Sequence, residues 1–317
     1  MDFVGKRNWF FLVSFVVALV SIASLLTPGG LNPGLEFTGG SSMTLGFSEE
    51  VNQEDLRSDL TLLGHPEAVI QSLGDRSYFI RTRLLEEAKP GGESDRSERE
   101  EIVSALETSL GVRVDSSDLF SVSPSIAAET VRNAIIIVFI ASIAIMVYIT
   151  WAFRRVPSPL RYGISAIIAL VHDVVVVLGV YSVFGRIFGF QVDALFIAGI
   201  LTVIGYSVND TIVVFDRIRE NIIRGVGRDL GSAINISIQD TLGRSFNTSL
   251  TLLFAILALL LFGGPTIRDF LVVLLIGVIV GTYSSIWIAS QALLAWESGD
   301  VGKLFRRLPL PLPSRGR

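Results

Sequence analysis

Apolar residues gather in six long blocks, at about residues 10–26, 134–153, 164–184, 194–215, 245–262 and 270–289. A hydrocarbon core about 30 Å thick takes roughly 20 helical residues to cross. Each block therefore predicts one membrane-spanning helix. Lys6 and Arg7 before the first block, and small residues after Ala23, also suit a cleaved signal peptide. Its apolar run is longer than the roughly 7 to 15 residues of a signal core, which favours a retained span.

Between the first two blocks the periods shorten. Residues 42–47, 68–73, 78–82 and 119–122 read as strands, and 53–63 and 99–110 as helices, with a turn at Gly74 and Asp75. The order βαββαβ is that of the ferredoxin-like split motif. Residues 86–96, with Pro, Gly and charges, read as a mobile loop. The expected organisation is a terminus and first span at 1–28, an extramembrane α+β domain at 29–132, a bundle of five spans at 133–295 and a disordered basic tail at 296–317. The extramembrane domain shows no catalytic constellation.

Composition agrees with this pattern. Half of the 317 residues are hydrophobic and the mean hydropathy is +0.58, as in an integral membrane protein. With no cysteine and two histidines, His65 and His172, no thiolate or disulfide chemistry is available and metal chemistry is not expected. No cofactor and no nucleic-acid partner is expected; the lipid bilayer is. Basic residues mark the cytoplasmic connections: Lys6 and Arg7, then Arg154, Arg155 and Arg161, then Arg217, Arg219, Arg224, Arg228 and Arg244, then Lys303, Arg306 and Arg307. Both termini are thus expected inside, and residues 29–132, with acidic residues exceeding basic ones about two to one, outside. Residues 217–243 alternate charges with Ile222, Leu230, Ile234 and Ile238, which predicts an amphipathic helix along the membrane surface.

Ionisable side chains within spans are costly and mark candidate functional positions. His172 and Asp173 fall near the middle of the third span. Neighbours on a helix point about 100° apart, so the two are not expected to serve one spot. In the fourth span Thr202, Tyr206 and Asp210 recur every four residues and Ser207 lies three residues before Asp210, which predicts a polar stripe on one helix face, with Asn209 adjacent in sequence to Asp210. A carboxylate poised between desolvation and a nearby cation can take up and release a proton, which makes Asp210 the leading proton-carrier candidate; a packing role is the alternative. Arg244, at the mouth of the fifth span, suits a partner for Asp210, a snorkelling residue or a partner for Asp240. Thr248, Ser249 and Thr251 suit either a hydrogen-bonded path or helix contacts, and Gly199, Gly205, Gly277 and Gly281 suit close helix packing.

Residues 34–40 (GLEFTGG), 171–179 (VHDVVVVLG), 201–221 (LTVIGYSVNDTIVVFDRIREN) and 247–253 (NTSLTLL) resemble the SecF family of bacterial protein-export subunits. The resemblance covers the chain from the first span to the sixth. Glu36 stands where Asp is common in the family, and Ser245 where Thr is common. The resemblance implies a membrane all-α six-helix bundle of the kind found as half of a resistance-nodulation-division exporter, carrying an extracytoplasmic ferredoxin-like domain. It implies pairing with SecD, association with the SecYEG channel, YajC and YidC as further partners, and an unfolded translocating polypeptide as substrate. The implied activity is coupling of the proton-motive force to late-stage export across the inner membrane, without covalent catalysis. It assigns the proton pathway to Asp210 and Arg244. Among the polar residues read from the spans, Asn209, Tyr206, Thr202, His172, Asp173 and Thr248 are supporting candidates; His172 and Asp173 lie in a family motif, with their chemical role left open. Two rival readings are half of a small-molecule exporter, for which a single ferredoxin-like unit leaves little room, and a scaffold for SecD that transduces nothing.

Overall fold

The structure, a computed structural model, describes residues 2–74, 76–87, 97–264 and 267–299. Asp75, most of the expected mobile loop and most of the expected tail lie outside the described residues. Contacts divide the chain into two units, Pro33–Ile135 and Met1–Asn32 with Ile136–Arg317.

The smaller unit runs α2 (Leu35–Thr38), β1 (Gly40–Phe47), α3 (Gln53–Leu62), β2 (Val69–Gly74), β3 (Ser77–Thr82), α4 (Glu98–Leu110) and β4 (Val114–Val122). The sheet order is β2-β3-β1-β4 and every pair is antiparallel. A split βαβ unit gives this order, because each crossover helix skips one strand position. On β1, Met43, Leu45 and Phe47 alternate with polar or small residues and turn inward. They pack on Leu56 and Leu60 of α3 and on Ile102 and Leu106 of α4. Caps fix where these helices begin: Asn52 accepts from the Glu54 N–H, and Ser97 with Glu100 forms a reciprocal capping box. β4 begins five residues earlier than its apolar end suggests, because Ser116, Ser117 and Asp118 pair with β1 although they carry no strand-like pattern.

The paired glycines of the GLEFTGG stretch have a local reason. Gly39 and Gly40 have φ of 73° and 121°, and a Cβ on Gly40 would stand 2.5 Å from the Thr82 carbonyl oxygen. Glycine alone adopts such backbone without strain.

The larger unit holds α1 (Arg7–Leu26), the later part of α5 (Pro124–Ala152), α6 (Pro159–Phe188), α7 (Ala194–Ile223), α8 (Leu230–Phe262), α9 (Arg268–Ser284), a π-helical turn (Ser285–Ala289) and α10 (Ser290–Glu297). With α9, its π turn and α10 taken as one span, the described residues hold six helices long and apolar enough to cross a membrane. α7 packs on α6, α8 and α9, and α1 on α6. Gly277 lets α9 touch α7: a Cβ there would stand 2.0 Å from a Val203 methyl carbon. Gly281 does the same beside Ser207, and Gly199 beside Val273, whereas Gly205 faces open space. The first two are the small-residue contacts expected of membrane helices.

The surface helix expected over 217–243 is not a separate element. α7 continues to Ile223, α8 starts at Leu230, and the apolar side of this stretch closes on itself, with Ile218, Ile234 and Ile238 fully buried. Asn221 donates to Ser237 across 2.8 Å. The amphipathic pattern is real, but its apolar face meets the neighbouring helix.

Candidate functional site

Asp210 on α7 is 8% exposed. Ser245 of α8 donates to its Oδ1 at 2.6 Å, while Oδ2 is buried without a hydrogen-bond partner. One turn back, Tyr206 pairs with Ser249 at 2.7 Å, and Ser249 pairs with Thr282 of α9 at 2.6 Å. The 206/210 face of α7 therefore addresses α8, joined by hydroxyls that a four-residue spacing on each helix brings into line.

Arg244 precedes Ser245 but points elsewhere. It is exposed and lines an open cleft with Val213, Asp216, Arg217, Glu220, Asp240 and Thr241. Among the described residues it makes no hydrogen bond to Asp210, whose one bonded oxygen is held by Ser245. The alternative pairing with Asp240 is overturned: Asp240 accepts from Arg217, with Nη2 to Oδ2 at 2.7 Å, and Arg217 also binds Glu220.

The remaining candidates divide. Thr202 and Asn209 are exposed on α7, and the Thr202 hydroxyl bonds back to Ala198. Thr248 and Thr251 likewise bond back to Arg244 and Asn247, so neither extends the hydroxyl path as expected; Ser249 does. The single polar stripe expected of α7 divides: Ser207, three residues before Asp210, bonds to α6 and not to α8, and joins a second cluster. Its Oγ donates to Asp173 Oδ2 at 2.6 Å, beside Ser284 of α9 donating to the same oxygen at 2.7 Å. His172 Nδ1 meets Asp173 Oδ1 at 3.1 Å. The expectation that these neighbours serve different spots is wrong, because the imidazole reaches the adjacent carboxylate despite the angle between their positions on the helix.

Sequence reasoning did not single out Ser245 as the contact to Asp210, nor Thr282, Ser284, Ser285 and Thr211. Thr211 donates to Ser285 at 2.9 Å, and Ser285 donates to the Ser207 carbonyl at 2.9 Å. The visible signal is the Thr-Tyr-Ser-Ser run at 282–285 in an apolar block, followed by the π turn, a feature frequent at functional sites. Among the described residues no cluster of three His, Asp or Glu side chains is arranged to hold a metal ion.

The family described as protein export membrane protein SecD/SecF, C-terminal, matches residues 102–299. The SecD/SecF GG motif matches residues 24–51. Protein translocase subunit SecF of Thermobaculum terrenum is 42% identical over 97% of this chain and 97% of its own length. Protein translocase subunit SecDF of Bacillus subtilis is 35% identical over 95% of this chain, which corresponds to 39% of that longer protein. The crystal structure of SecDF from Thermus thermophilus, a translocon-associated membrane protein, superposes with a TM-score of 0.77 at 34% identity, over 94% of this chain and 39% of that one. The chain is thus a multi-pass component of protein transport and not an enzyme, and it belongs to the SecF family of protein translocase subunits.

Proposed function

We propose that this chain is the six-span half of a complex with SecD that couples the proton-motive force to late-stage polypeptide export through SecYEG. In this reading Asp210 binds and releases the proton and Arg244 supplies the opposing charge. The supporting observation is the half-satisfied carboxylate: Asp210 is buried between α7 and α8 with one oxygen bonded to Ser245 and the other bonded to nothing. A buried oxygen without a partner is costly, and a proton or a donor that arrives with a shift of α8 would relieve it. Adding one charge biases a conformational equilibrium only if the two states solvate it differently. The α7–α8 contact is the element that would separate them.

Partnership with SecD has its own support. Thr202, Asn209, Arg244, Asn247, Thr248 and Thr251 are exposed along α7 and α8, and polar residues within spans rarely face lipid. Relatives named SecDF carry a region similar to this chain as part of one longer protein. In this reading both termini lie on the cytoplasmic side of the inner membrane and residues 29–132 outside, which the basic connections support. YajC and YidC are further partners under this reading.

The test compares the natural chain with Asp210→Asn in membrane vesicles carrying equal amounts of assembled complex. Loss of export stimulation by an imposed proton gradient supports the reading. Stimulation that persists leaves Asp210 a packing residue and the chain a scaffold.

A further inference from the structure

A second ionisable group lies in the interior of the bundle, and the Asp210 reading does not use it. Asp173 is 1% exposed. Both donors to its Oδ2 are serine hydroxyls, Ser207 from α7 and Ser284 from α9. Its Oδ1 faces His172 Nδ1 at 3.1 Å, and His172 Nε2 is buried with no hydrogen-bond partner.

Among the described residues, the partners bonded to the pair from other helices are uncharged hydroxyls. From α7 it meets Ser207 and from α9 Ser284. The ring of Tyr283, also on α9, has its centroid 6.4 Å from that of His172. The Tyr283 hydroxyl donates to the Phe10 carbonyl of α1 and accepts from Ser14 of α1. Among the described residues the only ion pair of either residue is the one between them.

An ionised carboxylate only accepts, so the nitrogen facing it carries the hydrogen. The neutral imidazole beside ionised Asp173 is then the Nδ1–H tautomer, with its lone pair on Nε2. In that state the pair has one net negative charge, buried and with no counter-ion in contact, which is costly. One proton at Nε2 makes the imidazolium and brings the pair to zero. We propose that the His172–Asp173 pair is a second proton-binding site of this chain, with Nε2 of His172 as the atom that takes the proton and Asp173 as the group that orients the ring. Ser207 lies one turn before Asp210 on α7 and ties the second site to the helix that carries the first.

The chain has two histidines, which makes the test direct. The full chain assembled with SecD is labelled with ¹⁵N-histidine in lipid nanodiscs, and the signal absent from His172→Gln is that of His172. His65, buried in the smaller unit and bonded to Thr82, reports that the smaller unit is folded, and assembly with SecD at wild-type yield reports the same of the bundle. The expected result is a neutral Nδ1–H ring that becomes doubly protonated as pH falls through some part of the range from about 8 to 5. Asp173→Asn, with the His65 signal intact, is expected to lose the Nδ1–H preference. A neutral ring with its hydrogen on Nε2, or a ring in one state throughout that range, overturns the proposal. Asp210→Asn is expected to leave the two His172 states observable, so this inference and the Asp210 reading fail separately.

Discussion

Ser245 on α8 donates its hydroxyl to Asp210 on α7 across 2.6 Å and thereby fixes one oxygen of the carboxylate while the other stays unpaired. A hydrogen bond to a charged group is worth about 1.5–3 kcal/mol, enough to favour one arrangement of α7 and α8 at least about tenfold. Ser245→Ala is therefore expected to weaken gradient-driven export at least severalfold, while Ser245→Thr, which keeps the hydroxyl, restores it. Measuring export at fixed gradient in both variants checks this. Equal loss in Ala and Thr would point to packing and not to the hydroxyl.

Arg244 and Arg217 have different partners, so their neighbourhoods separate experimentally. Asp240 is engaged by Arg217, and Asp240→Asn is expected to leave gradient-driven export unchanged. Arg244→Ala is expected to abolish it, with Arg244→Lys retaining part, because in the proposed reading Arg244 supplies the charge opposing Asp210 and a lysine preserves the charge without the guanidinium geometry. Export by the three variants at equal assembly decides the point.

Gly277 allows α9 to lie directly on Val203 of α7. Gly277→Val would force the helices apart, at an overpacking cost of about 1–3 kcal/mol. The expected outcome is a lower thermal transition of the purified complex in nanodiscs. Adding Val203→Ala to Gly277→Ala is expected to recover most of the loss of the single alanine variant. Independent, additive effects would contradict the contact.

In the smaller unit the carboxyl of Glu67 is held below the usual carboxylate range. The largest cause is its own backbone N–H; the Thr82 hydroxyl, the Arg83 N–H and the charge of His65 add to it, against desolvation. A folded value below the unfolded one means that the stabilisation is complete above the unfolded glutamate value of about 4.3 and fades as pH falls through the folded value. Glu67→Gln is expected to flatten this acid-side dependence by slightly lowering stability at neutral pH, where the ionised carboxylate contributes, and to leave stability at low pH nearly unchanged; the effect is small because the group is largely exposed. Hydrogen exchange of β3 amides in the intact chain, followed from neutral pH downward, reads it.

The sequence carried the parts of the fold that hydrophobic period alone determines. Six apolar blocks became six helices, and the 2-residue and 3.6-residue periods of the smaller unit became β1, α3, β2, β3 and α4 within one to two residues. β4 was cut short because Ser116 to Asp118 join a strand through backbone pairing that leaves no side-chain signature. Asp210 was legible as a costly carboxylate in a span. Its partner was not, because Ser245 and Asp210 are 35 residues apart and serine within a span reads equally as packing. The membrane-surface helix failed for a related reason: Ile234 and Ile238 form an apolar stripe, but amphipathicity does not say whether lipid or Ile218 covers it. His172 and Asp173 were judged by where Cβ atoms point, and a long imidazole with free χ angles reaches around that limit.

Proton entry into liposomes tests the central claim most directly. The purified complex of this chain with SecD is reconstituted together with the SecYEG channel around a trapped pH dye, and proton flux is followed while a polypeptide is exported under an imposed gradient. The account predicts a flux that accompanies export in the natural chain and is absent with Asp210→Asn at equal assembly. Undiminished, export-linked flux in Asp210→Asn would contradict it.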